Sequence, residues 1–188
     1  MKILAFSASN SSQSIDHQLV RHAAEVLKSE VLPGAEIEML DINDYEMPIY
    51  SMDRELADGI PDLARQFRAK IAAADALLIS FAEHNGHYTA AYKNIFDWAS
   101  RLEGRVYAGK PMVALAASPG PGGAASVLAA AKTSTPYFGS DIRGSLSVAN
   151  FGTAFDAAAA GLVDGELADQ LRDALRGLAA STADTVAA

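Results

Sequence analysis

The sequence of 188 residues predicts an α/β fold in one domain, 1–188, built on a parallel sheet with helices on both faces. Short apolar runs without polar alternation stand at residues 2–7, 76–80 and 111–118, as expected of strands covered on both sides. Between them lie longer stretches whose apolar residues recur at helical spacing. No internal repeat or linker-like segment divides the chain.

The first strand is KILAFS, residues 2–7. Leu19, Ala23, Val26 and Leu27 then trace one helical stripe, which Pro33-Gly34 closes. AEIEML, residues 35–40, alternates and reads as a second strand. Residues 41–61 carry Pro48, Gly59 and Pro61 among several acidic groups and read as a long loop, a length usually tied to function. Leu63, Phe67 and Ile71 mark a helix over 62–74, and ALLIS, 76–80, is the expected central strand. A helix from Tyr88 carries Ala91, Tyr92, Ile95, Ala99 and Leu102. Tyr88, Tyr92 and Trp98 read as core or subunit interface. PMVALAAS, 111–118, is a further strand, followed by a Gly/Pro-rich turn and an alanine-rich helix over 124–134. A weaker strand is expected within 142–149. The last helix places Leu167, Leu171, Leu175 and Leu178 on one face, with acids in its first turn and arginines later, as the helix dipole favours.

The formal net charge of -8 disfavours nucleic acid and anionic membranes as partners. With no cysteine, disulfides, thiolate metal sites and cysteine nucleophiles are excluded. Four apolar residues after Met1-Lys2 are too few for a secretion signal, and no run approaches the roughly 20 apolar residues of a membrane span. The expectation is a cytoplasmic protein.

Right-handed crossovers put three unusual segments on one sheet edge: 7–16, 81–88 and 118–123. The first, SASNSSQSID, is crowded with serines and opens a helix, whose unpaired N–H groups suit an anion such as a phosphate. Helix capping by Ser12 or Ser14 accounts for one serine; five serines suggest more. The segment has no glycine and no Lys-Ser/Thr pair, so neither the dinucleotide fingerprint nor the Walker pattern is present, and a mononucleotide-type phosphate remains. Glu83-His84-Asn85-Gly86 forms a polar turn whose backbone could face a flat heterocycle, although Asn-Gly is also a common turn. His84 and His87 lack carboxylate partners at ligand spacing, so no metal site is expected. The glycines of SPGPGGAAS, 118–126, permit close backbone approach to a ligand or simply make a turn.

Together these segments resemble the NADPH-dependent FMN reductase family of flavodoxin-like oxidoreductases, which includes quinone and chromate reductases. The family's Gly-Ser-x-Arg-x-x-Ser-x-Asn-x-x-Leu phosphate loop is matched here at Ser9, Ser14 and Leu19. Its Pro-Glu-Tyr-Asn-Gly loop, followed by Leu-Lys-Asn-x-x-Asp-Trp, is similar to residues 82–86 and 92–98, and its Ser-x-Gly-x-x-Gly-Gly turn to Ser118, Gly120, Gly122 and Gly123. The family arginine is Ser11 here, its asparagine Asp16 and its tyrosine His84. Asp16 must therefore point away from a bound phosphate or weaken it.

The resemblance covers roughly residues 1–150. It implies a flavodoxin-like three-layer sandwich with a five-stranded parallel sheet in the order 2-1-3-4-5. It implies an enzyme that binds FMN, takes hydride from NADPH or NADH and reduces a small acceptor such as a flavin or quinone. Ser9, Ser11, Ser14, Ile15 and Asp16 would border the phosphate, Glu83, His84, Asn85 and Gly86 the ring, and Ser118, Gly120, Gly122 and Gly123 the pyrimidine side and nicotinamide approach. No catalytic side chain is implied, because the cofactors carry the chemistry. A homodimer or homotetramer is also implied, with residues 41–61 and 88–102 as contact surfaces. The competing reading is a flavodoxin-type electron carrier with no direct NAD(P)H oxidation. A phospho-receiver is disfavoured, because Ser80-Phe81 stands where its aspartate would be.

Overall fold

The computed structural model describes residues 1–186, with side chains as far as 180. Five parallel strands form one sheet: β1 (Lys2–Ser7), β2 (Glu36–Leu40), β3 (Ala76–Ser80), β6 (Pro111–Ala117) and β7 (Asp141–Val148). The intervening β4 (Glu83–His84) and β5 (His87–Tyr88) pair antiparallel with each other as a small hairpin. The sheet order β2-β1-β3-β6-β7 is the expected 2-1-3-4-5 once only the sheet's own strands are counted. Its parallel register aligns Ser7 with Ser80, and Ser80 with Leu115, so the β1, β3 and β6 chains all leave the sheet at one edge.

Alternation within the apolar strands builds two cores, one on each face. Leu4, Phe6, Leu77, Ile79, Met112 and Ala114 point into one, covered by α3 (Asp62–Ala73), α4 (Ala90–Ala99) and α5 (Ala125–Ser134). Ile3, Ala5, Leu78, Val113, Leu115 and Val148 point into the other, covered by α1 (Ile15–Val26) and α7 (Gly165–Val186). Every residue of β3 is buried, which explains why its sequence shows no polar alternation. The leucine stripe of α7 reaches the core as read, with Leu171, Leu175 and Leu178 fully buried.

The structure corrects three details. Residues 41–61 contain a helix, α2 (Met52–Asp58), capped by the Ser51 hydroxyl and ended by Gly59 at φ 78°. Its apolar spacing is a single pair, Met52 and Leu56, both exposed, too short a stripe to mark a helix in the sequence. The helix expected from Tyr88 starts at Ala90, since Tyr88 pairs within the hairpin and the Thr89 hydroxyl caps α4. Between β7 and α7 the chain adds a short turn of helix, α6 (Phe151–Ala154), and a second small hairpin, β8 (Phe155–Asp156) with β9 (Gly161–Leu162).

Candidate functional site at the carboxyl edge of the sheet

The three segments singled out in the sequence meet at this edge. The Ala8 N–H donates to the Ser80 carbonyl at 2.8 Å, the Phe81 N–H to Leu115 at 2.7 Å, and the Ser118 N–H to Val148 at 3.0 Å. The hydroxyl of Thr89, buried at the end of the hairpin, donates to the Ala8 carbonyl at 2.8 Å and so fastens the second loop to the first.

In the first loop, the hydroxyls of Ser9, Ser11 and Ser14 accept bonds from the amides two residues on, those of Ser11, Gln13 and Asp16. Each hydroxyl acts as an acceptor there, so its own proton remains available to an anion. The amides of Asn10 and Ser12, both on exposed residues, have no partner among the described residues. Ser9 is buried, Ser11 exposed, and Ser14 and Ile15 half-buried. His17 donates from Nε2 to the Ser9 carbonyl at 3.2 Å and pins the loop to α1. One cleft beside the loop, about 340 Å³, is lined by Ser12, Ser14, His17 and Arg21. Another, about 220 Å³, lies between Asn10, the 42–49 segment and the start of α4.

Asp16 behaves unlike its neighbours. Its side chain turns inward and is buried, with Oδ1 accepting from the Ser80 hydroxyl at 2.6 Å and the Ala117 N–H at 3.2 Å. Burial pushes its pKa up to about 6, with these hydrogen bonds opposing the rise. The Asp16 amide is already bonded to the Ser14 hydroxyl.

The second loop is a tight hairpin with Asn85 at φ 53° and Gly86 at φ 81°, the two left-handed positions that a two-residue hairpin turn demands. His84, Asn85 and Gly86 are exposed at its tip. Glu83 spends its carboxylate on structure: Oε2 accepts the Val127 N–H at 2.8 Å. The N-cap residue of α5, Ala124, offers no side-chain cap, so Glu83 caps the helix from the second loop and ties that loop to the third.

In the third loop the Ser118 hydroxyl donates to the Gly120 carbonyl at 2.9 Å. The glycines divide by role. A Cβ on Gly120 or Gly122 would meet nothing within 4 Å, which leaves room beside the backbone. A Cβ on Gly123 would stand 2.3 Å from the Ser147 hydroxyl, and its φ is +61°, so this glycine serves packing against β7. Gly123→Ala is expected to cost roughly 2–3 kcal/mol of stability, while Gly122→Ala stays within about 0.5 kcal/mol. Paired thermal melts check this, and equal melting temperatures would contradict it.

The Lys-Asn-x-x-Asp-Trp block has a role that its sequence did not disclose. Asn94 receives the Tyr50 N–H at 2.8 Å and donates to the Met47 carbonyl at 2.9 Å, while Trp98 Nε1 donates to the Pro48 carbonyl at 2.7 Å. These residues staple the 47–50 segment onto α4. Tyr92 and Trp98 are each 1% exposed, so these aromatic side chains belong to the core and are closed to a partner. Asn94→Ala should lower stability by about 2 kcal/mol and speed proteolysis within 48–58. Unchanged cleavage rates in limited proteolysis would refute the stapling role.

A family model described as NADPH-dependent FMN reductase matches residues 1–153. The chain is 38% identical over 120 residues to an NAD(P)H-dependent FMN reductase of Pseudomonas aeruginosa, covering 64% of this chain and 61% of that protein. It is 35% identical over 126 residues to an NADPH:quinone oxidoreductase of Arabidopsis thaliana, covering 67% of this chain and 62% of the other. The matched stretch thus spans a little over three-fifths of these relatives' length. Among solved structures, the flavoenzyme NAD(P)H:(acceptor) oxidoreductase FerB of Paracoccus denitrificans superposes with a TM-score of 0.75 at 26% identity, covering 94% of both chains. With the sheet order, the edge loops and these matches in agreement, the chain belongs to the NADPH-dependent FMN reductase family.

Proposed function

We propose that this chain is an FMN-dependent oxidoreductase that takes hydride from NADPH or NADH and reduces a small acceptor, a flavin or a quinone. The observation that carries this reading is the junction of three loops at adjacent strand ends, the first presenting unpaired amides and spare hydroxyl protons. The printed activities of the relatives, an FMN reductase and a quinone oxidoreductase, support it.

The residues present fit the cofactor. Ser9, Ser11 and Ser14, with the amides of Asn10 and Ser12, would hold the phosphate at the positive end of α1. Asp16 leaves that surface clear because its carboxylate is turned inward. The backbone of residues 83–86 would line the ring, and Ser118, Gly120 and Gly122 would leave space for nicotinamide. A bound flavin would supply the redox chemistry between NAD(P)H and the acceptor. The chain's own task is to hold the two reactants about 3–3.5 Å apart, and no side chain is assigned as acid or base.

Residues 1–188 act as one domain on this reading, which the two cores sharing a single sheet support. A homodimer or homotetramer is supported by Ile49, Met52 and Leu56, large apolar side chains 76%, 64% and 80% exposed on the 41–61 segment. Light scattering on the purified protein tests it. Among the described residues no helix is long and apolar enough to cross a membrane. A cytoplasmic location is part of the proposal.

The test is an absorption spectrum of the purified protein followed by steady-state NAD(P)H consumption with added FMN or benzoquinone. Flavin bands with sustained turnover are the expected result. Flavin bands with almost no turnover would replace the enzyme by an electron carrier. Colourless protein that gives no heat on titration with FMN would refute both.

A further inference from the structure

The proposed reaction makes no use of Asp16, yet its carboxylate lies where the site is assembled. It joins the start of α1 to the ends of β3 and β6 through the Ser80 hydroxyl and the Ala117 N–H. Its surroundings hold no ionic partner. From β1 comes Ser7, fully buried, register-paired with Ser80 and without a hydrogen-bond partner among the described residues. Apart from Asp16 itself, the first loop offers only uncharged side chains. The neighbouring His17 directs its imidazole to the Ser9 carbonyl, the Glu83 carboxylate is held by Val127, and Arg21 and Asp41 line the outer cleft. An anion on the first loop and an ionised Asp16 would therefore share the positive end of a single helix, with no cation between them.

We propose that the first loop binds a phosphate dianion with linked proton uptake by Asp16, which makes Asp16 a positioning residue that ties flavin affinity to pH. The inference rests on the reading that this loop holds the FMN phosphate. Burial has already brought the carboxyl to about 6 in the free protein. A nearby dianion adds like-charge repulsion in the same direction. The proton comes from solvent and settles on the carboxylate, where it removes the repulsion while Oδ1 can still accept its two bonds.

The test compares wild type with Asp16→Asn, which keeps an oxygen acceptor but cannot ionise. FMN dissociation constants are read from flavin fluorescence between pH 5.5 and 8. The two proteins should bind alike at pH 5.5, and the variant about tenfold more tightly at pH 8, the effect of one further unit of pKa in the loaded protein. Ionisation of the ligand's own phosphate near pH 6 acts on both proteins and cancels in their ratio. Calorimetry at pH 7 in two buffers of different ionisation heat should show wild type taking up about 0.4 proton more than the variant. Ser80→Ala, which removes a bond favouring the charged form, should move the divergence to higher pH. With riboflavin, which has no phosphate, the ratio should stay flat. A flat ratio with FMN, or an equally steep one with riboflavin, overturns the proton coupling and leaves flavin binding intact. Absence of FMN binding by both proteins at every pH overturns the coupling and the flavin reading together.

Discussion

Gly144→Ala should destabilise this protein by about 3 kcal/mol, lowering the melting temperature by roughly 6–12 °C. A Cβ at Gly144 would lie 2.2 Å from the Ala174 carbonyl oxygen, and one at Gly177 would lie 2.4 Å from the Arg143 carbonyl oxygen. Both obstacles are backbone, so no rotamer change relieves them. Helix α7 must lift from β7, and in lifting it loosens Leu171, Leu175 and Leu178, which fill the core on that face. Gly152→Ala is the control, because a Cβ there meets nothing within 4 Å. Thermal melts that left Gly144→Ala level with this control would show that the two glycines are not what sets the helix-to-sheet distance.

Asp16→Asn should raise stability at pH 8 by about 2 kcal/mol in the absence of ligand. The sign follows from linkage. Burial raises the carboxyl from 3.8 to about 6 in the folded state, so the folded chain holds this proton more tightly than the unfolded chain does. Stability is then lost as pH climbs from about 4 to 6, and the full cost, about 3 kcal/mol, persists above that range. The amide variant carries no charge to bury, but it brings an NH₂ group that needs an acceptor. Part of the gain is offset by burying that group. Denaturant melts at pH 5 and pH 8 give the check: the variant's advantage should be larger at pH 8 by about 1 kcal/mol. An advantage independent of pH would mean that the carboxylate is not the source.

The strands were legible because each is an apolar run whose two faces are both covered, and the three edge loops followed from the alternation of strands and helices. The hydroxyl-rich loop was legible as well, since serines at the start of a helix have a local chemistry. Helix α2 had local signals in Ser51 and Gly59, but it buries nothing, and its one apolar pair, Met52 and Leu56, is too short to show a helical period. Glu83, Asn94 and Asp16 escaped for another reason. Their partners lie 44, 47 and 101 residues away, at Val127, Met47 and Ala117. Nothing in a carboxylate or an amide tells the reader which distant N–H or carbonyl it will meet.

The sequence alone determined the layering of this protein and the edge on which its loops gather, because burial on two faces and helical spacing are properties of neighbouring residues. Only the tertiary structure decided which polar side chains remain open to a ligand and which are consumed in holding the loops together. That division depends on where strand ends fall beside one another, and on the burial that raises Asp16 while Ser11, a few residues earlier, stays in water. Proximity between distant segments and the loss of solvent around a charge arise only when the chain has folded.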